Sequence, residues 1–197
     1  MGVVRWIRKR FDSDPQLAQA FPSDLRADVM VAINAIPPGD IHAMSGFSVL
    51  VRGEPVHIPY RIYNPEPEPG ALADLSRQQL QIASCIYTRH HDGHVRERAV
   101  RRLLDSGADW IVPFVVQLIG EYVVEIIEVI KDGLQRLDLK PYKRFAAENP
   151  EFLELTKQHS ISYWNCYYRS KYPRVNDYPG RAAVALILGH WAPQPDG

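Results

Sequence analysis

The chain has 197 residues, in which 23 lysines and arginines balance 23 aspartates and glutamates, so its formal net charge is zero. This balance argues against a protein that binds nucleic acids or membranes through its overall charge. Hydrophobic residues make up 46% of the chain and charged residues 23%, which is typical of a globular protein, and the length fits a single domain over residues 1–197.

The N-terminal segment, residues 1–36, is predicted to form helices. Ser23 is a residue of the kind that caps helices, and the run from Pro37 to Gly39 cannot continue one. We therefore expect a helix over residues 24–35, with a shorter helix before it.

Alternating apolar and polar residues predict a β-hairpin over residues 46–63. Apolar side chains recur at every second position on both sides of a turn at residues 52–54. Pro59 has no backbone N–H to donate, so its strand should be an edge strand or should turn its donor side away from its partner. Residues 64–70 hold three prolines and are predicted to be an extended, proline-rich linker.

The remaining residues, 71–197, are predicted to form the helical core. Helical periodicity and breaking residues place helices at about 72–89, 94–105, 110–132, 141–148, 151–171 and 180–191. The predicted fold class is therefore mainly α: a single-domain helical bundle of about seven helices with one β-hairpin.

The predicted helix over residues 110–132 is apolar enough to be mistaken for a membrane span. Its polar residues fall within an arc of about 80° on a helical projection, and apolar residues cover the rest. These polar residues are Gln117, Glu121, Glu125, Glu128 and Asp132. Such a helix belongs at the centre of a bundle in water, because three carboxylates at the middle of a bilayer would each cost about 2.5 kcal/mol or more.

The predicted helix before it carries apolar residues at a spacing of four, Val95, Ala99 and Leu103, with arginines on its other faces. This helix, the short turn after it and the longer apolar helix are together similar to one unit of the HEAT-type helical repeats. The resemblance covers about 40 residues and implies HEAT-like packing of this helix pair.

The densest polar run holds three histidines within five positions, His90, His91 and His94. Histidine binds metals and transfers protons near neutral pH, so this loop is a candidate site for a divalent metal. With a carboxylate from the central helix, it could activate water as in a metal-dependent hydrolase. The candidate catalytic residues are His91, His94, Glu121 and Glu125. The alternative is that Asp92 caps the next helix and the histidines pair with carboxylates or solvent.

Carboxylates one turn apart on the central helix, Glu121, Glu125 and Glu128, form a second candidate site. They could bind a divalent cation or act as an acid and a base with different pKa values. The alternative is an ion-pair network with the basic stripe of the preceding helix, Arg96–Arg102, if the two helices form an antiparallel hairpin.

The third candidate site is an aromatic and basic segment from Tyr163 to Arg174. Rings interleaved with cations can stack on bases and contact phosphates, as in proteins that bind single-stranded nucleic acids. The candidate partner-binding residues are Trp164, Tyr167, Tyr168, Arg169, Lys171 and Arg174. On a helical projection, however, Trp164, Tyr168 and Tyr172 share one narrow stripe with Ile161, which is typical of a core-facing seam. A protein-binding surface is the third alternative.

No diagnostic catalytic motif and no phosphate-binding glycine loop occurs in the sequence. The leading prediction is therefore a protein-interaction or scaffold module without catalytic activity, with a hairpin edge that could accept a partner strand. The alternatives are a metal-dependent hydrolase that uses the histidine loop and a nucleic-acid-binding protein that uses the aromatic and basic segment. The two cysteines are too few for a disulfide framework and no signal-peptide core is present, so a cytoplasmic protein is predicted.

Overall fold

The computed structural model describes residues 15–39 and 45–189, which form a mainly α-helical domain with one antiparallel β-hairpin. In chain order the elements are α1 (Pro15–Ala18), α2 (Arg26–Ala35), β1 (Gly46–Val51), β2 (Glu54–Pro59), α3 (Arg77–Tyr87), α4 (Gly93–Arg101), α5 (Val112–Ile119), α6 (Val124–Leu134), α7 (Lys140–Glu148), α8 (Pro150–Tyr163) and α9 (Pro179–Leu188). Apolar side chains from α1 through α9 pack into one large core. The predicted mainly α, single-domain fold is confirmed.

The predicted helix over residues 110–132 is two helices, α5 and α6, and the turn between them holds Glu121. α5 ends at Gly120, where the chain passes close to α8. A Cβ at Gly120 would lie only 3.3 Å from Thr156 of α8. The prediction of one continuous helix was wrong, since the residues of this turn fit the apolar periodicity of a helix. No helix in the described parts of the chain is long and apolar enough to cross a membrane.

Side-chain caps set the starts of α3 and α4. Ser76 Oγ accepts a hydrogen bond from the N–H of Gln79 (3.2 Å), and the Gln79 side chain accepts one from the N–H of Ser76 (3.0 Å). The helix predicted over residues 72–89 therefore begins at Arg77. Asp92 Oδ1 accepts a hydrogen bond from the N–H of His94 (2.8 Å), so the alternative in which Asp92 caps this helix is confirmed.

Ser23 does not cap a helix, contrary to the prediction. Its N–H and its hydroxyl both donate to the carboxylate of Glu54 in β2, at 2.9 to 3.1 Å. α2 begins at Arg26, after a single tight turn. The predicted shorter helix corresponds to α1, and residues 1–14 lie outside the described ranges.

The β-hairpin forms as predicted, with a two-residue turn at Arg52 and Gly53. Their φ angles of 55° and 76° are those that such a turn requires. The hairpin pairs residues 46–51 with residues 54–59 and is therefore shorter than the predicted span. Ile62, beyond its end, pairs instead with His90 in an isolated parallel bridge.

The outer edge of β2 has no free donor. In this register the N–H groups of residues 55, 57 and 59 point away from β1. Pro55 and Pro59 have no N–H, and the N–H of His57 donates to the carbonyl oxygen of Gln19 (2.8 Å). The expected orientation of Pro59 is confirmed. This edge therefore offers a partner strand no free backbone donor, and addition of a partner strand to the hairpin stays a prediction.

At Leu50, the outer edge of β1 is covered by the side chain of Asn149, at the junction of α7 and α8. Asn149 Oδ1 accepts a hydrogen bond from the N–H of Leu50 (2.7 Å), and its Nδ2 donates to the carbonyl oxygens of Leu50 (2.9 Å) and Phe145 (3.0 Å). The amide thus takes the place of a neighbouring strand at Leu50, near the end of β1. Asn149 therefore occupies the outer edge of β1 at Leu50, as Gln19 occupies that of β2 at His57.

Replacing this amide by an apolar group of similar size should destabilise the protein. Asn149→Leu leaves the N–H and the carbonyl oxygen of Leu50 without their partner, so the free energy of unfolding should fall by about 1–3 kcal/mol. Urea denaturation measures the loss. Asn176→Ala, at an exposed position, is the matched control and should change the free energy by less than about 0.5 kcal/mol. Equal effects of the two substitutions would contradict this assignment of Asn149.

Candidate functional site

A buried carboxylate and three arginines form the most unusual polar cluster of the described residues. Glu121, in the turn between α5 and α6, is only 5% exposed. Arg61 donates to both of its oxygens (2.9 and 3.0 Å), and Arg89 donates to Oε1. Arg96 Nε lies 3.2 Å from Oε2. We call Arg61, Arg89, Arg96 and Glu121 the arginine–glutamate cluster.

Backbone pairing brings the arginines of this cluster together. The N–H of Ile62 donates to the carbonyl oxygen of Arg89 (2.8 Å), and the N–H of His91 donates to that of Ile62 (3.1 Å). This bridge places the segment after β2 alongside the end of α3. Arg96, one turn into α4, donates from Nη1 to the carbonyl oxygens of His90 (2.8 Å) and His91 (2.9 Å). The cluster therefore joins the segment after β2, the loop and start of helix around residues 89–96, and the turn between α5 and α6.

The electrostatics of the cluster keep Glu121 ionised. Burial alone would raise the pKa of Glu121, but attraction by Arg89, Arg61 and Arg96 outweighs it, and the pKa lies below its ordinary value. Three guanidinium groups against one carboxylate leave two positive charges in excess. Arg89 and Arg96 are 0% and 1% exposed, whereas Arg61 is 30% exposed and opens the cluster to solvent.

The histidine loop does not form the predicted metal centre. His90 Nδ1 accepts a hydrogen bond from the N–H of Asp92 (3.0 Å), and its Nε2 is 3.1 Å from the carbonyl oxygen of Asn64, so both ring nitrogens are occupied. Burial, and then repulsion by His91, lower the pKa of His90, which favours the neutral ring. His91 lies with its ring between those of His90 (4.2 Å) and Tyr63 (5.3 Å).

The proposed ligands and catalytic groups of the hydrolase hypothesis are separated by these contacts. His94 lies exposed at the start of α4, Glu125 is exposed on α6, and Glu121 is enclosed by arginines. Among residues 15–39 and 45–189, no group of three or more His, Cys, Asp or Glu side chains could hold a metal ion. The prediction of a metal site from His90, His91 and His94 was therefore wrong for the described chain, because the loop uses its polar atoms to close the turn before α4.

The predicted pairing of the Arg96–Arg102 stripe with the Glu121–Glu128 stripe occurs at one position. Arg96 reaches Glu121, which lies before α6 and not on it. Three other members pair elsewhere: Arg98 with Glu66 (2.6 Å), Arg101 with Glu97 (2.7 Å) and Glu128 with Lys171 (3.0 Å). The carboxylates do not form one helix face, because the turn at Glu121 breaks the periodicity that the sequence indicates.

The aromatic segment from Tyr163 to Arg174 is largely anchored to the fold. Trp164, Tyr168 and Tyr172 pack partly buried against Tyr178, which is itself buried. The Trp164 indole donates to the carbonyl oxygen of Tyr172 (2.8 Å), and the Tyr172 hydroxyl donates to Glu128. The core-facing seam, one of the three alternatives for this segment, is confirmed for these rings.

The rings that remain exposed form a row on the surface. Tyr167 is 67% exposed and Tyr122 is 53% exposed, and the ring of Tyr163 lies between them, 6.2 Å from each. We call these three residues the tyrosine surface. Beneath it, the Tyr168 hydroxyl donates to the carbonyl oxygen of Tyr122 and ties the α5–α6 turn to the helical turn that follows α8.

Comparison with known proteins assigns the chain to no family. The chain matches no protein-family model, and no curated protein or solved structure is significantly similar to it. The HEAT-like resemblance of α4 and the helix after it therefore stays a resemblance. The function has to be argued from the side chains themselves.

Two of the six residues predicted to bind a partner, Tyr167 and Arg169, lie exposed on the surface. Arg169 forms no ion pair with an acidic side chain among the described residues. Lys171 pairs with Glu128, and Arg174 pairs with Asp177 (2.9 Å). Sequence reasoning missed Tyr122, because a continuous helix would have placed it on the apolar face. It also missed the convergence of Arg61 and Arg89, because no local pattern connects these two positions.

Proposed function

We propose that the protein is a protein-interaction module without catalytic activity and that its partner docks on the tyrosine surface. The observation that carries this proposal is the row of three tyrosine rings, two of them more than half exposed. Tyrosine combines a large apolar ring with a hydroxyl that can donate to a partner, and it is enriched at the energetic centres of protein interfaces.

A rigid base supports binding at this surface. Arg169 lies over the Trp164 ring, 5.5 Å from its centroid, and donates to Asn165 (3.2 Å). Trp164 and Tyr168 are in turn held by their own hydrogen bonds to the backbone. A surface whose base is held in this way needs little rearrangement of that base when a partner binds, which favours affinity.

The charges near the surface favour a protein over a nucleic acid as the partner. A nucleic-acid site needs several cations that are free to contact phosphates. Lys171 and Arg174 are bound to acidic side chains, so the segment presents Arg169 as its cation without an acidic partner among the described residues. A cytoplasmic location remains a prediction from the sequence alone.

Two substitutions on the tyrosine surface should weaken partner binding strongly. We expect a photo-crosslinking residue at position 167 to capture a partner in cells, and the same residue at position 60 to leave that partner uncaptured. With the purified partner, the double substitution Tyr122→Ala and Tyr167→Ala should then raise Kd by tenfold or more, because each removes a large ring from the contact. Tyr60→Ala, at an exposed tyrosine outside the surface, is the matched control.

Three results would speak against this proposal. An affinity that the double substitution leaves unchanged would place the interface elsewhere. Binding of a single-stranded oligonucleotide that falls steeply with salt and weakens on Arg169→Ala would replace it with a nucleic-acid function. Steady turnover of a small substrate by the purified protein would replace it with an enzymatic one.

A further inference from the structure

The outer edge of β1 is open beside the position that Asn149 occupies. The register of the hairpin directs the N–H and carbonyl groups of Gly46, Ser48 and Leu50 away from β2. Asn149 satisfies both groups of Leu50, whereas those of Ser48 have no hydrogen-bond partner in the described part of the chain. Ser48 is also exposed. A donor and an acceptor that lie unpaired on a strand edge are the groups to which an added strand bonds.

A groove of about 530 Å³ runs beside this open position. Residues 47–50 of β1 and Pro55 of β2 form one side of it, and residues 148–152, at the junction of α7 and α8, form the other together with Leu155. Its volume lies in the range of clefts that hold ligands. We call it the hairpin groove. Because β1 borders it, an extended chain that lies in the groove meets the free backbone groups of Ser48.

Apolar side chains that a ligand would cover line the hairpin groove. The Phe152 ring stacks on that of Phe47, with the two centroids 5.0 Å apart. Leu50 on the hairpin side is 38% exposed, and Leu155 on the α8 side is 46% exposed. Exposed apolar side chains on both sides of one groove are typical of a binding site, because a ligand that lies between them removes their surface from water.

The charges of the groove favour one class of apolar ligand. Glu148 and Glu151 line it, and no lysine or arginine of the described residues does so. Neither carboxylate forms an ion pair with another described residue, and Arg144, which lies before them on α7, pairs with Asp109 instead (3.6 Å). The groove therefore presents two negative charges and favours a ligand that carries a positive charge.

We infer that the hairpin groove binds an extended peptide segment of a partner protein, which has apolar side chains and at least one lysine or arginine and adds to β1 as a third strand. Ser48 exchanges backbone hydrogen bonds with the peptide, the exposed leucines contact its apolar side chains, and the two glutamates attract its cation. The Asn149 amide takes the place of the strand at Leu50, so the added strand pairs with β1 up to Ser48 and not beyond it.

The hairpin groove is separate from the tyrosine surface. Phe152 lies in the first turn of α8, whereas Tyr163 is the last residue of this helix. An α-helix rises about 1.5 Å per residue, so roughly 16 Å separate the two residues along α8. The groove therefore goes beyond the proposed docking of a partner on the tyrosines, and its binding can be tested without that partner.

Binding of short synthetic peptides to the whole protein tests this inference. The probe is a fluorescently labelled, blocked octapeptide in which valine and lysine alternate, and its control has glutamate in place of lysine. We expect saturable binding of the lysine peptide in fluorescence anisotropy and about tenfold weaker binding of the glutamate peptide, because the groove repels it. In protein NMR, the lysine peptide should slow hydrogen exchange of the Ser48 amide, because this amide gains a hydrogen bond.

Substitutions in the groove separate strand addition from attraction by charge. Ser48→Pro removes the outward N–H without removing a hydrogen bond to β2, so we expect about fivefold weaker binding or more. Ser48→Ala keeps the N–H and is the matched control, with unchanged affinity. Glu148→Gln combined with Glu151→Gln should weaken binding of the lysine peptide by about fivefold. Tyr167→Ala should leave it unchanged, whether or not the tyrosine surface binds a partner.

Methylated peptides test the same backbone hydrogen bonds if Ser48→Pro does not fold. Methyl groups on the backbone nitrogens of the valines alone, or of the lysines alone, remove the donors along one edge of the extended peptide. One methylated peptide should lose binding and the other should keep it, because only one edge of an added strand faces β1.

Three results would overturn the inference. Absence of saturable binding, or equal binding of the lysine and glutamate peptides, would show that the groove does not recognise this ligand. Equal affinities of the two methylated peptides would exclude strand addition. Dimerisation of the protein that Ser48→Pro abolishes and Ser48→Ala does not would replace the partner peptide with a second copy of this chain.

Discussion

Glu121→Gln is expected to lower the free energy of unfolding by about 3–5 kcal/mol in chloride buffer, because it leaves buried arginines without their counter-charge. The amide keeps the size of the side chain, so the loss reports charge and not a cavity. Urea denaturation measures it. Glu125→Gln, at an exposed position without an ion pair to another described residue, is the matched control and should change the free energy by less than about 0.5 kcal/mol.

The pH dependence of stability tests independently whether Glu121 is ionised in the folded protein. The pKa of Glu121 is lowered in the folded protein, so its contribution is fully present above the ordinary glutamate value of 4.5 and is lost as the pH falls through the lowered pKa. The unchanged protein should therefore lose stability in acid more steeply than Glu121→Gln. Parallel curves for the two proteins would contradict an ionised Glu121.

Phe114→Ala should destabilise the protein by a similar amount, about 3–5 kcal/mol. Phe114 lies on α5, is fully buried and stacks on Phe21, with the two ring centroids 5.2 Å apart. Truncation removes apolar contacts and leaves a cavity that the surrounding helices cannot fill completely. Urea denaturation is again the measurement, and Leu155→Ala, at a half-exposed leucine of α8, is the control with an expected loss below about 1 kcal/mol.

A small effect of Phe114→Ala would mean that α5 does not lie at the centre of the core. It would also question the position of the α5–α6 turn, since this helix leads directly to Glu121. A large effect of Leu155→Ala, in contrast, would indicate that α8 contacts something more than solvent at that position.

Local features of the fold follow from local sequence. The turn at Arg52 and Gly53 and the cap at Asp92 each depend on residues within a few positions, so alternation, turn chemistry and capping predict them. The break between α5 and α6 does not follow in this way. The chain turns at Gly120 beside α8, where a Cβ would lie 3.3 Å from Thr156, a residue far along the chain.

At the candidate sites, too, local sequence predicted some features and tertiary packing decided the others. Three histidines within five positions suggested a shared centre, but His90 uses both ring nitrogens on backbone groups. For the aromatic segment, the sequence indicated both a core-facing seam and a binding surface. Packing against Tyr178 decided which rings are partly buried, and Tyr167 stays exposed.

By itself, the sequence determined a mainly α domain with one hairpin and a balanced charge arranged in separate blocks. Only the tertiary structure decided which blocks neutralise each other. Arg61 and Arg89 lie 60 and 32 positions from Glu121, and no local hydrogen bond or periodicity relates positions so far apart. The zero net charge therefore conceals an excess of two positive charges at the arginine–glutamate cluster, where Arg89 and Arg96 are buried and Arg61 is partly exposed, because charges cancel in a sum over the chain but interact strongly only at short distance.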